Sequence, residues 1–441
     1  MIDSNGSAQG KCDVLVIGGG PAGSTISALL AGRGYDVLVV EKSCHPRFHI
    51  GESLLPHNLP LFEHLGVARE IESIGVPKFG VDFVSPWHRE PVLFKFAEGW
   101  DKKFAFAYQV RRSEFDEILF RNARRCGART IESCRVTNVL FTQPGATVTT
   151  RHEDGHEEQW DARFVVDASG RDTFLANSFR IKQRNAKHNS AALFGHFSGA
   201  SRLPGSAGGN ISVFWFEHGW FWFIPLRDGV TSIGAVCWPY YMKSRKTDVD
   251  RFLFETIALC PPLADRLREA RLVSPVTATG NYSYSTKRAG GEHYIMLGDA
   301  CLFIDPVFST GVYLAMHSAF VGAQTVETCL RQPERASAAI RKYERSVRQG
   351  PAAYSWFIRH ATAPALRELF LMPGERFRIK EAVLSLLAGD IFYGTPIRSR
   401  LLAFKVLYYL KAALMLGASI RDWRKRRQAA RDPGVHSAMS P

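Results

Sequence analysis

The sequence predicts an α/β protein: a Rossmann-like nucleotide-binding domain, an α+β second domain on an antiparallel sheet, and a helical, basic C-terminal region. Three observations predict it. A buried strand, a glycine-rich turn and a small-residue helix open the chain. Aromatic-rich strand segments fill its middle, and long helical patterns ending in "RDWRKRRQAAR" close it. The chain has 441 residues, 46% of them hydrophobic, which is enough for two or three domains.

"CDVLVIG" is a continuous valine-rich run, as a strand buried on both faces requires. Gly18, Gly20 and Gly23 follow in G-x-G-x-x-G spacing, with Ala22 inside the turn, and a helix starts there. Gly18 permits the tight turn, Gly20 lets backbone approach a pyrophosphate, and Gly23 lets helix and strand pack closely. The helix N-terminus then faces the phosphates. "YDVLVVEK" is a second buried strand ending at Glu41 and Lys42, and Glu41 is placed to accept a ribose hydroxyl. Dinucleotide binding follows from this order, but the turn alone does not separate FAD from NAD.

Three later stretches do. "QVRRSEFDEIL" puts Arg112 at a helix start, "ARFVVDASGR" is a buried strand ending in Asp167, and "HYIMLGDACLFIDPVFSTGVYLAMHSA" carries Asp299 and a Pro-Ser-Thr-Gly turn into a helix. Their order resembles the FAD-binding fold of aromatic hydroxylases and their relatives. "GWFWFIP" then narrows the resemblance. Trp220, Trp222 and Ile224 share one face of a strand by periodicity, and with Pro225 they match the W-x-W-x-I-P signature of flavin-dependent halogenases. "FHIGESLLP", with Glu52 and Ser53, and "DPVFSTGV", with Pro306, Thr310, Gly311 and Val312, also look like stretches of that family.

The resemblance implies FAD, used as FADH2 from a separate flavin reductase, together with molecular oxygen and a halide, chloride or bromide. It implies cofactor contacts at Gly18, Gly20, Ala22, Gly23, Glu41, Lys42, Glu52, Ser53, Arg112, Asp299, Pro306, Gly311 and Val312. It also implies a halide site at Thr310 and Gly311, and a wall of Trp220, Trp222 and Pro225 that keeps substrate off the flavin. The family has a lysine shortly after its G-E-S-x-x-P segment, and "VPKFG" supplies Lys78 as the catalytic lysine. The resemblance implies that this lysine captures hypohalous acid as a chloramine or holds it by hydrogen bonding, and an apolar surrounding would lower its pKa and leave some free amine for capture. His88, His196 and His218 are candidate helpers, but a lone histidine is more often structural and none is named as catalytic.

The implied domains are a FAD-binding domain over 1–80, 108–187 and 289–334, a substrate domain over 81–107 and 188–288, and a helical basic region over 335–441. "FAFAYQV", "AALFGHFSG", "ISVFWFEHGWFWFIPL" and "VTSIGAVCW" are read as strands of the substrate domain. "SRLLAFKVLYYLKAALMLGASIRDWRKRRQ" is read as one long amphipathic helix, packed on that domain rather than placed on a membrane. Tryptophan-specific members are longer and carry an insertion that has no counterpart here. The implied substrate is a phenol or pyrrole, free or held on an acyl or peptidyl carrier protein. The net charge of +14 and the cluster Arg421, Arg424, Lys425, Arg426, Arg427 and Arg431 suit an acidic carrier. A solvated basic tail is the plainer alternative. A FAD-dependent monooxygenase and a silent flavin-binding partner are the competing functions.

The eight scattered cysteines form no C-x-x-C pair, so no metal site and no disulfide framework are expected. No nucleic-acid-binding motif accompanies the basic tail. The N-terminus has no charged-then-apolar layout, and a reduced, cytoplasmic protein is expected.

Overall fold

The computed structural model describes residues 10–185, 190–280, 283–371, 378–392 and 395–431. Two large sheets organise it. In the first, Glu157–Asp167, Gly10–Ile17, Val37–Val40 and Arg129–Ile131 lie side by side in parallel, with Tyr294–Met296 parallel on the outer side of Glu157–Asp167. Val14, Leu15 and Val16 are fully buried, as the unbroken apolar run requires. The helices Pro21–Ala31 and Gly311–Arg331 pack against each other over this sheet. The hairpin Cys134–Thr142 and Gly145–His152 extends it through antiparallel pairing with Glu157–Asp167.

The glycine turn is forced by contact. Gly18 has φ of +100°, and a Cβ there would meet the Ala168 carbonyl oxygen at 2.6 Å. A Cβ on Gly23 would meet the Gly18 carbonyl oxygen at 1.9 Å. The first helix can therefore sit on its strand only if both positions lack a side chain.

The second sheet runs Arg271–Leu272, Ala191–Ser198, Val230–Cys237, Gly219–Pro225, Ile211–Phe216, Gly80–Val84, Val92–Lys95. It is antiparallel except where Ile211–Phe216 pairs with Gly80–Val84 in parallel. Its two faces are sorted by the alternation of the strands. Trp220, Trp222 and Ile224 join an apolar cluster with Tyr354, Phe357 and Leu384 of the C-terminal helices. Phe221 and Phe223 point the other way, onto Phe252, Leu253 and Ile257 of the helix Val249–Ala258.

Two expectations are corrected. "FAFAYQV" yields only the short strand Ala107–Gln109, which leaves the second sheet and pairs instead with Val76–Lys78. Its partner is the lysine strand, whose register no local pattern encodes. The long C-terminal helix is broken. Arg398–Leu414 and Leu416–Arg431 meet at Met415, and Arg398–Leu414 is bent by 99° against Leu416–Arg424. The break lies beside Gly417, a weak helix former.

Candidate active site

One cavity of about 990 Å³ runs from the glycine turn to the tryptophan strand. Its walls include Gly18, Gly20, Ala22, Glu41, Lys42, Glu52, Ser53, Arg112, Asp299, Pro306, Gly311 and Val312, and also Trp220, Trp222 and Ile224. Of the expected cofactor, halide and wall residues, three stand elsewhere. Gly23 is buried beneath the turn. Pro225 is buried at the end of its strand, and Thr310 lines a separate cavity of about 30 Å³ that shares Gly311 and Asp299 with the large one.

At the glycine end, Glu41 is buried and its Oε2 accepts the Gly19 N–H at 2.7 Å. Lys42 pairs with Asp172. Gly20 starts the helix with φ of −76°, and a Cβ on it would meet only Arg47 Nη2, at 3.6 Å. That position faces open cavity rather than protein.

Beside it lies a charge cluster that sequence reading did not assemble. Arg112 is buried, and its guanidinium donates to both oxygens of Asp116 at 2.7 and 3.0 Å, and to the Ile50 carbonyl at 2.6 Å. Arg47 reaches Asp116 at 3.2 Å and Glu41 at 3.3 Å. Burial would raise the Asp116 carboxyl, but the Arg112 guanidinium overrides it and holds the pKa below the usual value. Arg171 is a further cation on the cavity wall. Asp299 is pushed up to about 6 by burial, against the pull of Arg171 and Arg112. Arg47 lies within "HPRFHIGES", and a cation so close to that segment was the available signal. Arg171 follows "DASG" in the same way.

These features fit FAD: glycine backbone and arginines for a pyrophosphate, Glu41 for a ribose, and an aromatic wall at the far end. Glu52 adds a buried carboxylate on the cavity. Its Oε1 lies 2.7 Å from His196 Nε2, while its Oε2 has no partner among the described residues.

The tryptophan wall is built for bulk. A Cβ on Gly234 would lie 2.0 Å from the Trp222 ring, so the neighbouring strand leaves room for that indole. Trp222 Nε1 donates to Ser232 Oγ at 3.1 Å, which satisfies its polar edge inside the core.

Lys78 lies outside the cavity lining but is hydrogen-bonded to Ser53, which is part of it. The lysine is 1% exposed. The small Ala107 faces it across the strand pair, and its Nζ lies 5.3 Å from the centre of the Phe96 ring. It donates to Ser53 Oγ at 2.9 Å and to the Leu54 carbonyl at 3.0 Å. Among the described residues no carboxylate lies within ion-pair distance of it. Burial alone brings its pKa down from 10.5 to about 7. His88 and His218 bond elsewhere, to Glu368 and Tyr240. Among the described residues no group of three or more His, Cys, Asp or Glu is placed to hold a metal ion.

Two sheets, a glycine turn, an arginine cluster and a long cavity ending at paired tryptophans define a FAD-binding protein. The comparisons place it more narrowly. The family model for tryptophan halogenase matches residues 13–102 and 92–363, and the chain belongs to that family, the flavin-dependent halogenases. It is 34% identical over 75% of its length to a tryptophan 2-halogenase of Chondromyces crocatus, spanning 64% of that protein. It is 29% identical over 87% of its length to a 1H-pyrrole-2-carbonyl-[peptidyl-carrier protein] chlorinase of Pseudomonas fluorescens, spanning 90% of it. Among solved structures, the myxobacterial chondrochloren halogenase superposes with a TM-score of 0.75 at 31% identity, covering 92% of this chain and 97% of that one. The flavin-dependent brominase Bmp2 superposes with a TM-score of 0.81 at 25% identity, covering 91% and 100%. FAD is the cofactor of this family, and halide and oxygen are its co-substrates.

Proposed function

We propose that the chain halogenates an electron-rich ring, a phenol or a pyrrole, through the amine of Lys78. Reduced FAD, delivered by a separate reductase, supplies hypohalous acid when it reacts with oxygen and halide. The protein's own part begins with the halide. The backbone N–H groups of Thr310 and Gly311 open a helix of 21 residues, and that end favours an anion. Trp220, Trp222 and Pro225 belong to the strand that closes the cavity, so the ring to be halogenated stays on the lysine side. Direct oxygen transfer to the ring is thereby avoided.

The neutral amine of Lys78 attacks the halogen of hypohalous acid. An N–Cl or N–Br bond forms, the halogen–oxygen bond breaks, and water leaves. The ring carbon then takes the halogen from nitrogen and loses its proton, which restores the amine. A phenol or pyrrole supplies its own electron density for this step, so a strong additional base is unnecessary. Glu52, Ser53, Arg112 and Asp299 hold the cofactor side of the wall, with Glu41, Lys42, Pro306 and Val312.

The observation that carries this reading is the amine itself: buried, brought down by that burial to a pKa of about 7, and bonded to Ser53 on the cavity wall. The likeness to a carrier-protein-linked pyrrole chlorinase over most of both chains favours a ring presented on an acyl or peptidyl carrier protein.

The test is mass spectrometry of products after incubation with a flavin reductase, halide, and phenols and pyrroles offered free and carrier-bound. A halogen-for-hydrogen mass change is the expected result. Hydroxylated product, with the purified chain alone oxidising NADPH in response to the aromatic, overturns the reading in favour of a monooxygenase.

A further inference from the structure

The C-terminal helix pair carries a surface that halogenation chemistry does not use. Helix Arg398–Leu414 buries Phe404 and Tyr408 against the rest of the protein. Its opposite side shows Leu402, Val406, Leu410 and Leu414 to solvent at i, i+4 spacing. Leu414, at the corner before the break, is 85% exposed. Beyond the break the stripe continues as Leu416, Ile420 and Trp423. Isolated apolar residues on a surface need no explanation, but a continuous stripe over two helices does.

Cations border the stripe. Arg398, Arg421, Arg424 and Arg427 are exposed, and the Arg427 guanidinium lies 5.0 Å from the Trp423 ring. From Arg398 to Arg431 the sequence has ten lysines and arginines and one acid, Asp422. The side chains of Lys425, Arg426 and Arg431 lie outside the described ones.

We propose that this bent helix pair docks the enzyme on an anionic lipid surface, lying in the plane of the headgroups with the leucine corner inserted. Charge decides the sign of the partner. Ten cations against one acid would repel a second copy placed face to face. Shape decides its kind. The apolar residues lie on two helices bent by 99°, at a corner where Leu414 protrudes into solvent. A folded partner would need a matching apolar trough, whereas acyl chains adapt to any shape. Apolar residues along the middle, arginines at the rim and an amphipathic tryptophan are the arrangement an interfacial helix needs. Neither helix alone is long and apolar enough to cross a bilayer; the two together have the length and composition, but they are bent by 99° against each other.

The test is flotation of the full-length flavin-loaded protein with vesicles of phosphatidylglycerol and phosphatidylcholine, and with pure phosphatidylcholine. The wild type should float with the anionic vesicles and bind the neutral ones more than about tenfold more weakly. The double variant Leu410→Glu/Leu414→Glu should lose at least about tenfold in binding to the anionic vesicles. Arg421→Glu/Arg424→Glu should lose about fivefold per cation removed, and salt should mimic it. All four positions are exposed, so melting temperature and flavin absorbance should match the wild type. Three results overturn the proposal. The wild type stays at the bottom of the gradient with anionic vesicles. The leucine variant floats as well as the wild type. Or sedimentation velocity shows a dimer, or a complex with an acidic carrier protein, that the leucine variant abolishes while vesicles are ignored.

Discussion

Lys78 Nζ donates to Ser53 Oγ at 2.9 Å, and Ser53 lines the cavity while Lys78 does not. The serine thus links the buried amine to the cavity. Both acceptors of the amine, Ser53 Oγ and the Leu54 carbonyl, are neutral. Nothing in that shell pays for a buried positive charge, and the free amine is correspondingly favoured.

Lys78→Ala should therefore lower halogenation by at least about 10²-fold while leaving FAD binding and peroxide release intact. Lys78→Arg should be as inactive, because a guanidinium does not deprotonate in this range. Product analysis by mass spectrometry, with peroxide measured in parallel, checks both. Wild-type turnover in either variant would make Lys78 a packing residue.

The same amine should make stability depend on pH. Its pKa is 10.5 when solvated and about 7 when folded. Between those values the unfolded chain binds a proton that the folded chain does not, so this group's contribution improves as pH rises through that window. Below about pH 7 both states are protonated and the folded protein bears the whole cost of a buried ammonium. Lys78→Met should be more stable than the wild type near pH 6, with the gap closing by up to about 1.4 kcal/mol per pH unit towards pH 10. Paired melting curves across that range measure it. A gap that does not move with pH contradicts the lowered pKa.

Gly20 gives a cleaner view of the cofactor. Its φ is ordinary and its missing Cβ points into open cavity. Gly20→Val should leave the fold near its normal stability, yet obstruct the phosphates and strip FAD from the protein. Gel filtration followed by the visible spectrum checks this. A variant that stays fully yellow would remove the turn from the cofactor site.

The parts of the site that were legible in the sequence are those built from neighbours along the chain. Gly18, Gly20 and Gly23 act within one turn, and Trp220 and Trp222 share a face because strands have period two. What escaped depends on register between distant segments. Glu52 meets His196 across 144 positions, and Arg47 meets Asp116 across 69. The pairing of Ala107–Gln109 with the lysine strand is of the same kind. The outward apolar face of Arg398–Leu414 was unreadable for another reason. Periodicity shows that a helix has an apolar side, but only packing shows which apolar side is covered.

The arginine cluster should behave as one unit. Asp116 is fully buried between Arg112 and Arg47. Asp116→Ala leaves the buried Arg112 charge without its bidentate partner, which should cost about 3–5 kcal/mol. FAD affinity should fall with it, because Arg112 is then no longer held against the cavity. Chemical denaturation and flavin titration measure the two effects. Unchanged stability would mean that Arg112 finds another acceptor.

Phe96 tests whether burial, rather than any particular bond, sets the amine. Its ring lies 5.3 Å from Lys78 Nζ, is itself 1% exposed, and belongs to the apolar cluster shared with Trp220 and the C-terminal helices. Phe96→Ala would open a hole beside the amine and cost about 3–5 kcal/mol of stability. Because the new space borders an amine with two polar neighbours, water should enter it. Hydration restores the ammonium, so the Lys78 pKa should climb by about one unit or more towards its solvated value. Turnover near neutral pH should then drop, and raising the pH should recover it, a response that simple loss of fold would not give. Phe96→Leu keeps the site apolar and should leave the profile close to the wild type, with only a modest stability loss. The measurement is the pH dependence of halogenation for the three proteins, taken below their melting temperatures. If the alanine variant melts earlier but its pH profile coincides with the wild type, the amine is tuned by Ser53 and Leu54 rather than by exclusion of water.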